Sequence, residues 1–156
     1  MKKLDNIDSQ IITILQADSN VNIKAVAKQL NLTVTPVYER IKKLEKAGVI
    51  EKYVAKVNPY KLGLDLLVFT HVSLKEHTKA FLVNFEKEVV SINEVIECHH
   101  VTGEHDYLLK VMVKNMDSYR HFLTDKLARI KNIGNVHSSF VVNEIKKSGI
   151  YQPESM

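Results

Sequence analysis

Residues 32–50 read LTVTPVYERIKKLEKAGVI, and this stretch decides the fold of the first third of the chain. Thr33 is a favourable helix N-cap, and Pro36 falls in the first turn, where its missing N–H is harmless. The apolar positions that follow recur with helical spacing, at Val37, Ile41 and Leu44. Gly48 stands where helices commonly end on a left-handed residue. The stretch therefore predicts a helix that ends at about Ala47.

Two further helices are predicted upstream, over residues 5–17 and 23–30, with a tight turn at residues 31–32. Two helices joined by a short turn are typical of a helix-turn-helix. The exposed face of the third helix is predicted to be basic, with hydroxyl groups near its N-terminus. Such a helix suits the major groove of DNA. An ordinary amphipathic helix with a solvated polar face is the alternative.

Positive charge is concentrated in the same part of the chain. Residues 1–61 carry eleven Lys and Arg against six Asp and Glu, whereas residues 62–156 carry eleven against twelve. This asymmetry favours a polyanion, double-stranded DNA, as the partner of the first part. Charge alone also allows a solvated face that has no partner.

Composition also bears on where the protein works. No apolar run approaches the ~20 residues that span a membrane, and the N-terminal residues lack the apolar stretch of a signal peptide. The single cysteine, Cys98, excludes an internal disulfide. We therefore expect a cytoplasmic protein without a membrane segment.

The alternation of apolar and polar residues over 50–57 predicts a strand that follows the helix-turn-helix as a wing. Residues 58–63 contain Pro59 and Gly63, which mark a domain boundary. We therefore expect a winged helix-turn-helix domain over residues 1–61, including this exit strand and linker. A second domain is expected over residues 62–156.

The second domain repeats strands and helices. Strands are predicted at residues 66–74, 94–102, 107–113 and 136–145, and helices at 78–90 and 117–130. This is the βαββαβ order of a ferredoxin-like domain, so the predicted fold class is α+β. The first strand is apolar on both registers, at Leu66 and Val68 and at Leu67 and Phe69. Because the helices should cover one sheet face, the other face is predicted to meet a second copy in a homodimer.

Three stretches resemble the leucine-responsive and asparagine-responsive regulator family (Lrp/AsnC). They are the opening helix with Leu4, Asp5, Asp8, Ile11, Leu15, Gln16 and Asp18, the stretch 32–50, and residues 101–109, VTGEHDYLL. Their order and spacing extend the resemblance over about residues 4–147. It implies dimers that assemble into octamers or higher arrays and DNA that wraps around the assembly. It also implies an amino-acid effector that binds between the second domains of adjacent dimers.

The same resemblance assigns DNA contacts to the third helix and its N-cap, at Thr33, Thr35, Pro36, Tyr38, Arg40, Lys42 and Lys43. Thr35 and Tyr38 are candidates for base edges or sugars, and the basic side chains are candidates for phosphates. Arg40 lies near the buried side of the helix, so a pair with Glu39 or with an acid of the first helix is the alternative. Lys2 and Lys3 are two further candidates for phosphate contact. In the alternative, they belong to a frayed N-terminus.

The loop between the two central strands is the candidate effector site. The resemblance assigns to it Thr102, Gly103, Glu104, His105, Asp106 and Tyr107, with Ser138, Ser139 and Phe140 of the last strand as weaker lining candidates. Gly103 permits backbone conformations closed to other residues, so amides can approach the carboxylate of a ligand. Asp106 or Glu104 is the candidate acceptor for its ammonium group. In the alternative, the loop is a hairpin turn in which Asp106 bonds its own backbone.

Histidines near the only cysteine suggest a metal site, namely His99, His100 and His105 near Cys98. Successive strand residues point to opposite faces, which separates His99 from Cys98 and His100, and no paired-cysteine spacing accompanies them. We therefore expect no metal, and no cofactor other than the effector. Histidines near an interface also raise the hypothesis of pH-sensitive assembly.

The sequence favours a sequence-specific DNA-binding regulator that senses an amino acid over two rival functions. An enzyme is disfavoured, because the sequence shows no phosphate loop and no nucleophile with a base at a convincing spacing. An architectural DNA-binding protein shares the helix-turn-helix and the assembly and differs only at the effector loop. It stays open as the alternative.

Overall fold

The computed structural model describes residues 4–147 and 149–152, so the proposals for Lys2 and Lys3 lie outside the described residues. The chain forms two compact units. The first unit runs to Lys56 and takes in the described residues from Lys146 onward, and the second unit is Val57–Ile145. This division differs from the predicted boundary at residues 61 and 62. No local pattern in the sequence indicates that the residues from Lys146 onward return to the first unit.

The first unit contains the three predicted helices, α1 (Asn6–Ala17), α2 (Ile23–Gln29) and α3 (Val34–Lys46). Asp5 and Asp8 form a capping box at α1, and Asn22 caps α2. Thr33 has the extended conformation of an N-cap, but its side chain makes no capping hydrogen bond. The helices enclose a small core of buried side chains, Ile11, Val26, Ala27, Val37, Ile41 and Leu44.

The predicted strand over residues 50–57 is not present in the structure. Residues 51–58 have no regular secondary structure, and all of them are exposed. Alternating side chains make a strand only where a neighbouring strand accepts its backbone hydrogen bonds, and no sheet in the described part of the chain extends to this segment. The chain then forms a single turn of 3-10 helix, Pro59–Leu62, which ends at Gly63 with a left-handed φ of 73°.

The second unit confirms the βαββαβ order. Its elements are β1 (Leu66–Leu74), α4 (Lys79–Val89), β2 (Val95–His100), β3 (Tyr107–Val113), α5 (Met116–His121) and β4 (Ile133–Phe140). A π-helical turn, Phe122–Lys126, and a 3-10 turn, Leu127–Arg129, follow α5 directly. The four strands form an antiparallel sheet in the order β2-β3-β1-β4. The last strand starts earlier and ends earlier than residues 136–145, which were predicted for it.

One face of this sheet packs against the helices. Its core is a cluster of buried side chains that includes Val68, Val72, Phe85, Leu109, Val111 and Phe122. The second face of the sheet, by register, carries Leu67, Phe69, His71, Ser73, Leu108, Lys110, Met112 and His137. Much of this face is apolar, as the sequence indicated, and the homodimer through it stays a prediction. No helix in the described residues is long and apolar enough to cross a membrane.

Candidate nucleic-acid and effector sites

The outer side of α3 is the candidate nucleic-acid surface. Burial of Val37, Ile41 and Leu44 against the core turns the opposite side of the helix outward. That side exposes Thr33, Thr35, Tyr38, Lys42 and Lys43, with Pro36 half-buried. Tyr38 is 47% exposed although its side chain is large and aromatic. An exposed helix with hydroxyl groups at its start and lysines further along can place the former at base edges and the latter at phosphates.

The two lysines of this surface differ in their surroundings. Lys42 Nζ donates to Glu45 Oε2 at 2.7 Å, and the hydroxyl of Tyr53 donates to Glu45 Oε1 at 3.0 Å. The hydrogen bond to Glu45 raises the pKa of Lys42 and lowers that of the carboxyl group. Lys43 is exposed and makes no ion pair within the described residues. Lys43 is therefore the more available of the two for a phosphate.

Arg40 does not belong to the outer surface of α3. Its Nη1 donates to Asp5 Oδ2 and to Asp8 Oδ1, both at 2.6 Å. The Asp8 side chain is 5% exposed, so the guanidinium group compensates a buried carboxylate. These hydrogen bonds raise the pKa of Arg40. The assignment of Arg40 to phosphate contact is thus corrected in favour of the alternative, a pair with acids at the start of α1.

The loop 101–106 joins β2 to β3 and has an exposed tip. Thr102, Gly103 and Glu104 are exposed, and neither Thr102 nor Glu104 makes a side-chain hydrogen bond within the described residues. Gly103 has a φ of 122°, and no heavy atom lies within 4 Å of the position that a Cβ would occupy. The conformation therefore requires glycine, while the space above it is open.

Asp106 holds the base of this loop against the end of β1. Its Oδ2 accepts the Leu74 N–H at 2.7 Å, and both carboxylate oxygens contact His77 Nε2, at 2.9 and 3.0 Å. The Asp106 N–H donates to the Val72 carbonyl at 3.0 Å. This carboxylate is already engaged, so Asp106 is a positioning residue and no free acceptor for an ammonium group. Glu104 is the remaining carboxylate of the loop.

The pKa of Asp106 should make its contribution to stability depend on pH. Burial alone would raise this pKa, but the Leu74 N–H and His77 outweigh that effect and hold it below its usual value. With an unfolded value of ~3.9, the contribution is complete above that pH and is lost as pH falls through the folded pKa. Unfolding of the wild type and of Asp106→Asn in urea should differ at about pH 5, and the two stabilities should converge as pH falls through the lowered pKa of Asp106. A difference that grows on acidification would contradict this assignment.

His105 lies on the second face of the sheet. Its Nδ1 is 3.2 Å from Ser73 Oγ, and its ring centroid is 4.9 Å from that of His71 and 6.4 Å from that of His137. Ser73 and His71 belong to β1, and His77 follows it. The sequence gives no signal for these neighbours, because nothing in their local spacing relates them to a loop some thirty positions later.

Three other predicted residues lie away from the loop tip. Tyr107 is fully buried, contacts the tilted ring of Phe85 with centroids 4.4 Å apart, and donates to Glu86 Oε1 at 3.0 Å, so it is a core residue. Ser138 points to the helical side, with its Oγ 2.6 Å from the Tyr119 hydroxyl. Phe140 pairs with Val68, towards the opposite end of β1 from the loop. Within one chain, these three side chains do not join Thr102, Gly103 and Glu104 in one pocket.

The region around Cys98 is packed against the core. Cys98 and His100 share the helical side of β2 and His99 takes the other, as strand alternation predicts. His100 stacks on Tyr107 at 4.7 Å, and burial raises the pKa of the Cys98 thiol. Among the described residues, no group of three or more His, Cys, Asp or Glu side chains is arranged to hold a metal ion.

Comparison with known proteins covers both units. Residues 4–51 match winged helix-turn-helix DNA-binding domains, and residues 67–151 match the Lrp/AsnC ligand binding domain. The leucine-responsive regulatory proteins of Klebsiella pneumoniae and Escherichia coli (strain K12) are each 36% identical over 147 residues, which cover 94% of this chain and 90% of the relative.

Two solved structures are similar over nearly the whole chain. A transcriptional regulator of Neisseria meningitidis in complex with L-methionine has a TM-score of 0.91 and 32% identity, and 96% of each chain is covered. The feast or famine regulatory protein of M. tuberculosis, also complexed with L-methionine, has a TM-score of 0.86 and 26% identity, with 96% of this chain and 99% of that one covered.

The two units together define a class of protein. A helix-turn-helix that exposes a basic helix, followed by a βαββαβ ligand-binding domain, is the organisation of a DNA-binding transcription regulator and not of an enzyme. The chain belongs to the Lrp/AsnC family of transcription regulators.

Proposed function

We propose that this regulator binds DNA through the outer side of α3 and that an amino acid bound at the loop 101–106 changes its DNA affinity or assembly. The DNA-contacting side chains are Thr33, Thr35, Pro36, Tyr38, Lys42 and Lys43. The exposure of Tyr38, whose ring centroid lies 5.8 Å from Lys42 Nζ, supports this assignment, since Val37, Ile41 and Leu44 of the same helix are buried in the core. Because such a regulator acts on the chromosome, we expect it in the cytoplasm.

The effector site rests on one observation above all: the base of the loop is fixed by Asp106, while its tip is open and free of side-chain hydrogen bonds. A rigid base and free backbone amides suit a small ligand that carries a carboxylate. Glu104 supplies an acceptor for its ammonium group. Two structures similar to this chain contain L-methionine, and the relatives from K. pneumoniae and E. coli are named for their response to leucine.

The assembly that we propose starts from a homodimer through the second face of the sheet and continues to an octamer or higher array. Phe69 and Leu108 of that face are only half-buried in the single chain, and burying such apolar area favours association. A second subunit can also supply the lining residues that one loop lacks. Sedimentation of the purified protein at micromolar concentration should show a dimer or larger, and a monomer would contradict the proposal.

A thermal-shift screen against the twenty amino acids tests the effector. Leucine or methionine at 100 times its dissociation constant should stabilise the protein by ~2.7 kcal/mol. The shift should be lost in Gly103→Val, where an open, left-handed position receives a β-branched side chain, and Glu104→Ala should weaken it. If no amino acid shifts the melting temperature, the sensing proposal fails, and a DNA-binding protein without an effector becomes the better description.

The salt dependence of DNA binding tests the surface of α3. If Lys43 contacts a phosphate, Lys43→Ala should lower the slope of log K against log salt by about 1 and weaken binding to all sequences alike. Lys131 is an exposed lysine of the second unit, and Lys131→Ala is the matched control. Equal slopes for the two variants would exclude Lys43 from the interface.

A further inference from the structure

The C-terminal tail of the chain, residues 146, 147 and 149–152, belongs to the first unit. The chain leaves the first unit after Lys56, forms the whole second unit, and re-enters the first unit at Lys146. The two units are therefore connected twice along the chain. A helix-turn-helix attached by a single linker would lack the second connection.

The tail is bound to α1 by a reciprocal pair of hydrogen bonds. Gln16 Nε2 donates to the Tyr151 carbonyl at 2.7 Å, and the Tyr151 N–H donates to Gln16 Oε1 at 2.8 Å. The carboxamide thus satisfies both backbone groups of one tail residue, as a neighbouring strand would. Lys56 Nζ adds a third contact, to the Lys147 carbonyl at 3.2 Å. Tyr151 is 83% exposed, and it is the backbone N–H and carbonyl of this residue that are held.

The opposite end of α1 is bound to α3. Gln16 lies in the last turn of α1, whereas Asp5 and Asp8 at its start pair with Arg40 of α3. One helix therefore contacts the tail at one end and the candidate DNA-reading helix at the other. Two ends held by short, specific hydrogen bonds let a displacement of the tail move α1 as a body.

We infer that the tail is a strap that carries changes in the second unit to the DNA-binding helix, with Gln16 as the residue that receives it. The path runs from the end of the second unit through the tail and Gln16 along α1 to Arg40 and α3. The part of this inference that concerns effector signals rests on the proposed function. The part that concerns the strap rests on the contacts of Gln16 alone.

Amide hydrogen exchange tests the strap without DNA or effector. In the wild type, the Tyr151 amide should exchange on the order of tenfold more slowly than an unprotected amide, and Gln16→Ala should remove that protection. Gln10→Ala is the matched control, because Gln10 is an exposed glutamine of the same helix that makes no side-chain hydrogen bond within the described residues. A wild-type Tyr151 amide that exchanges as in an unfolded chain would overturn the strap.

DNA binding with and without methionine or leucine tests the coupling. The ratio of the dissociation constant for DNA measured with the amino acid to that measured without it should approach one in Gln16→Ala and in a chain that ends at Lys147. In Gln10→Ala, the ratio should stay at the wild-type value. A Gln16→Ala ratio equal to that of the wild type would overturn the coupling even if the strap exists. If the ratio is one in the wild type, the proposed effector response has failed, and the coupling that depends on it has failed too. The hydrogen-exchange experiment still tests whether the strap exists.

Discussion

Arg40→Ala is expected to destabilise the first unit by about 3 kcal/mol, because it leaves a buried carboxylate without its partner. Asp8 is 5% exposed, and Arg40 is its ion-pair partner within the described residues. Loss of the guanidinium group also frees the start of α1 from α3. Urea unfolding followed by the helical circular-dichroism signal should show the loss, and DNA binding should weaken because α3 loses the ion pairs that join it to the start of α1.

A second ion pair of the chain provides the control. Arg120 and Asp117 are 3.3 Å apart with side chains 69% and 80% exposed, so Arg120→Ala should cost well under about 1 kcal/mol. Replacing both partners of this pair, as in Arg40→Met with Asp8→Leu, should recover much of the stability, because no buried charge is left uncompensated. If Arg40→Ala costs no more than Arg120→Ala, the ion pair does not hold α1 to α3.

Asp106→Ala is expected to cost about 2 kcal/mol, since it leaves the Leu74 N–H without its hydrogen-bond acceptor in a half-buried site. The loop 101–106 then loses its attachment to the end of β1 and to His77. The melting temperature of the ligand-free protein should fall, and the thermal shift caused by leucine or methionine should be lost as well.

Glu104→Ala separates the scaffold of the loop from its binding function. Glu104 is exposed and makes no side-chain hydrogen bond within the described residues, so the ligand-free protein should melt as the wild type does. Its response to the amino acid should nevertheless weaken if Glu104 accepts the ammonium group. A normal response in Glu104→Ala, with a lost response in Asp106→Ala, would leave the loop in place as the site and remove Glu104 from it.

Periodicity was sufficient to predict the helices of the first unit and the order of elements in the second. The spacing of Val37, Ile41 and Leu44 predicted α3, and the order of strands and helices predicted the βαββαβ unit, because both patterns depend only on how side chains repeat along a regular backbone. The same reasoning failed at residues 50–57, since a strand also needs a hydrogen-bonded neighbour, which periodicity does not report.

The sequence by itself determined the helices, the sheet, the basic first third and, through its motifs, the family. Only the tertiary structure decided what the polar side chains do. Arg40 pairs with Asp8, Asp106 accepts a hydrogen bond from the Leu74 N–H at the end of β1, and Gln16 hydrogen-bonds to the backbone of Tyr151 in the tail. Each of these contacts joins residues far apart along the chain, so it depends on how finished elements pack against one another, and no local pattern encodes it.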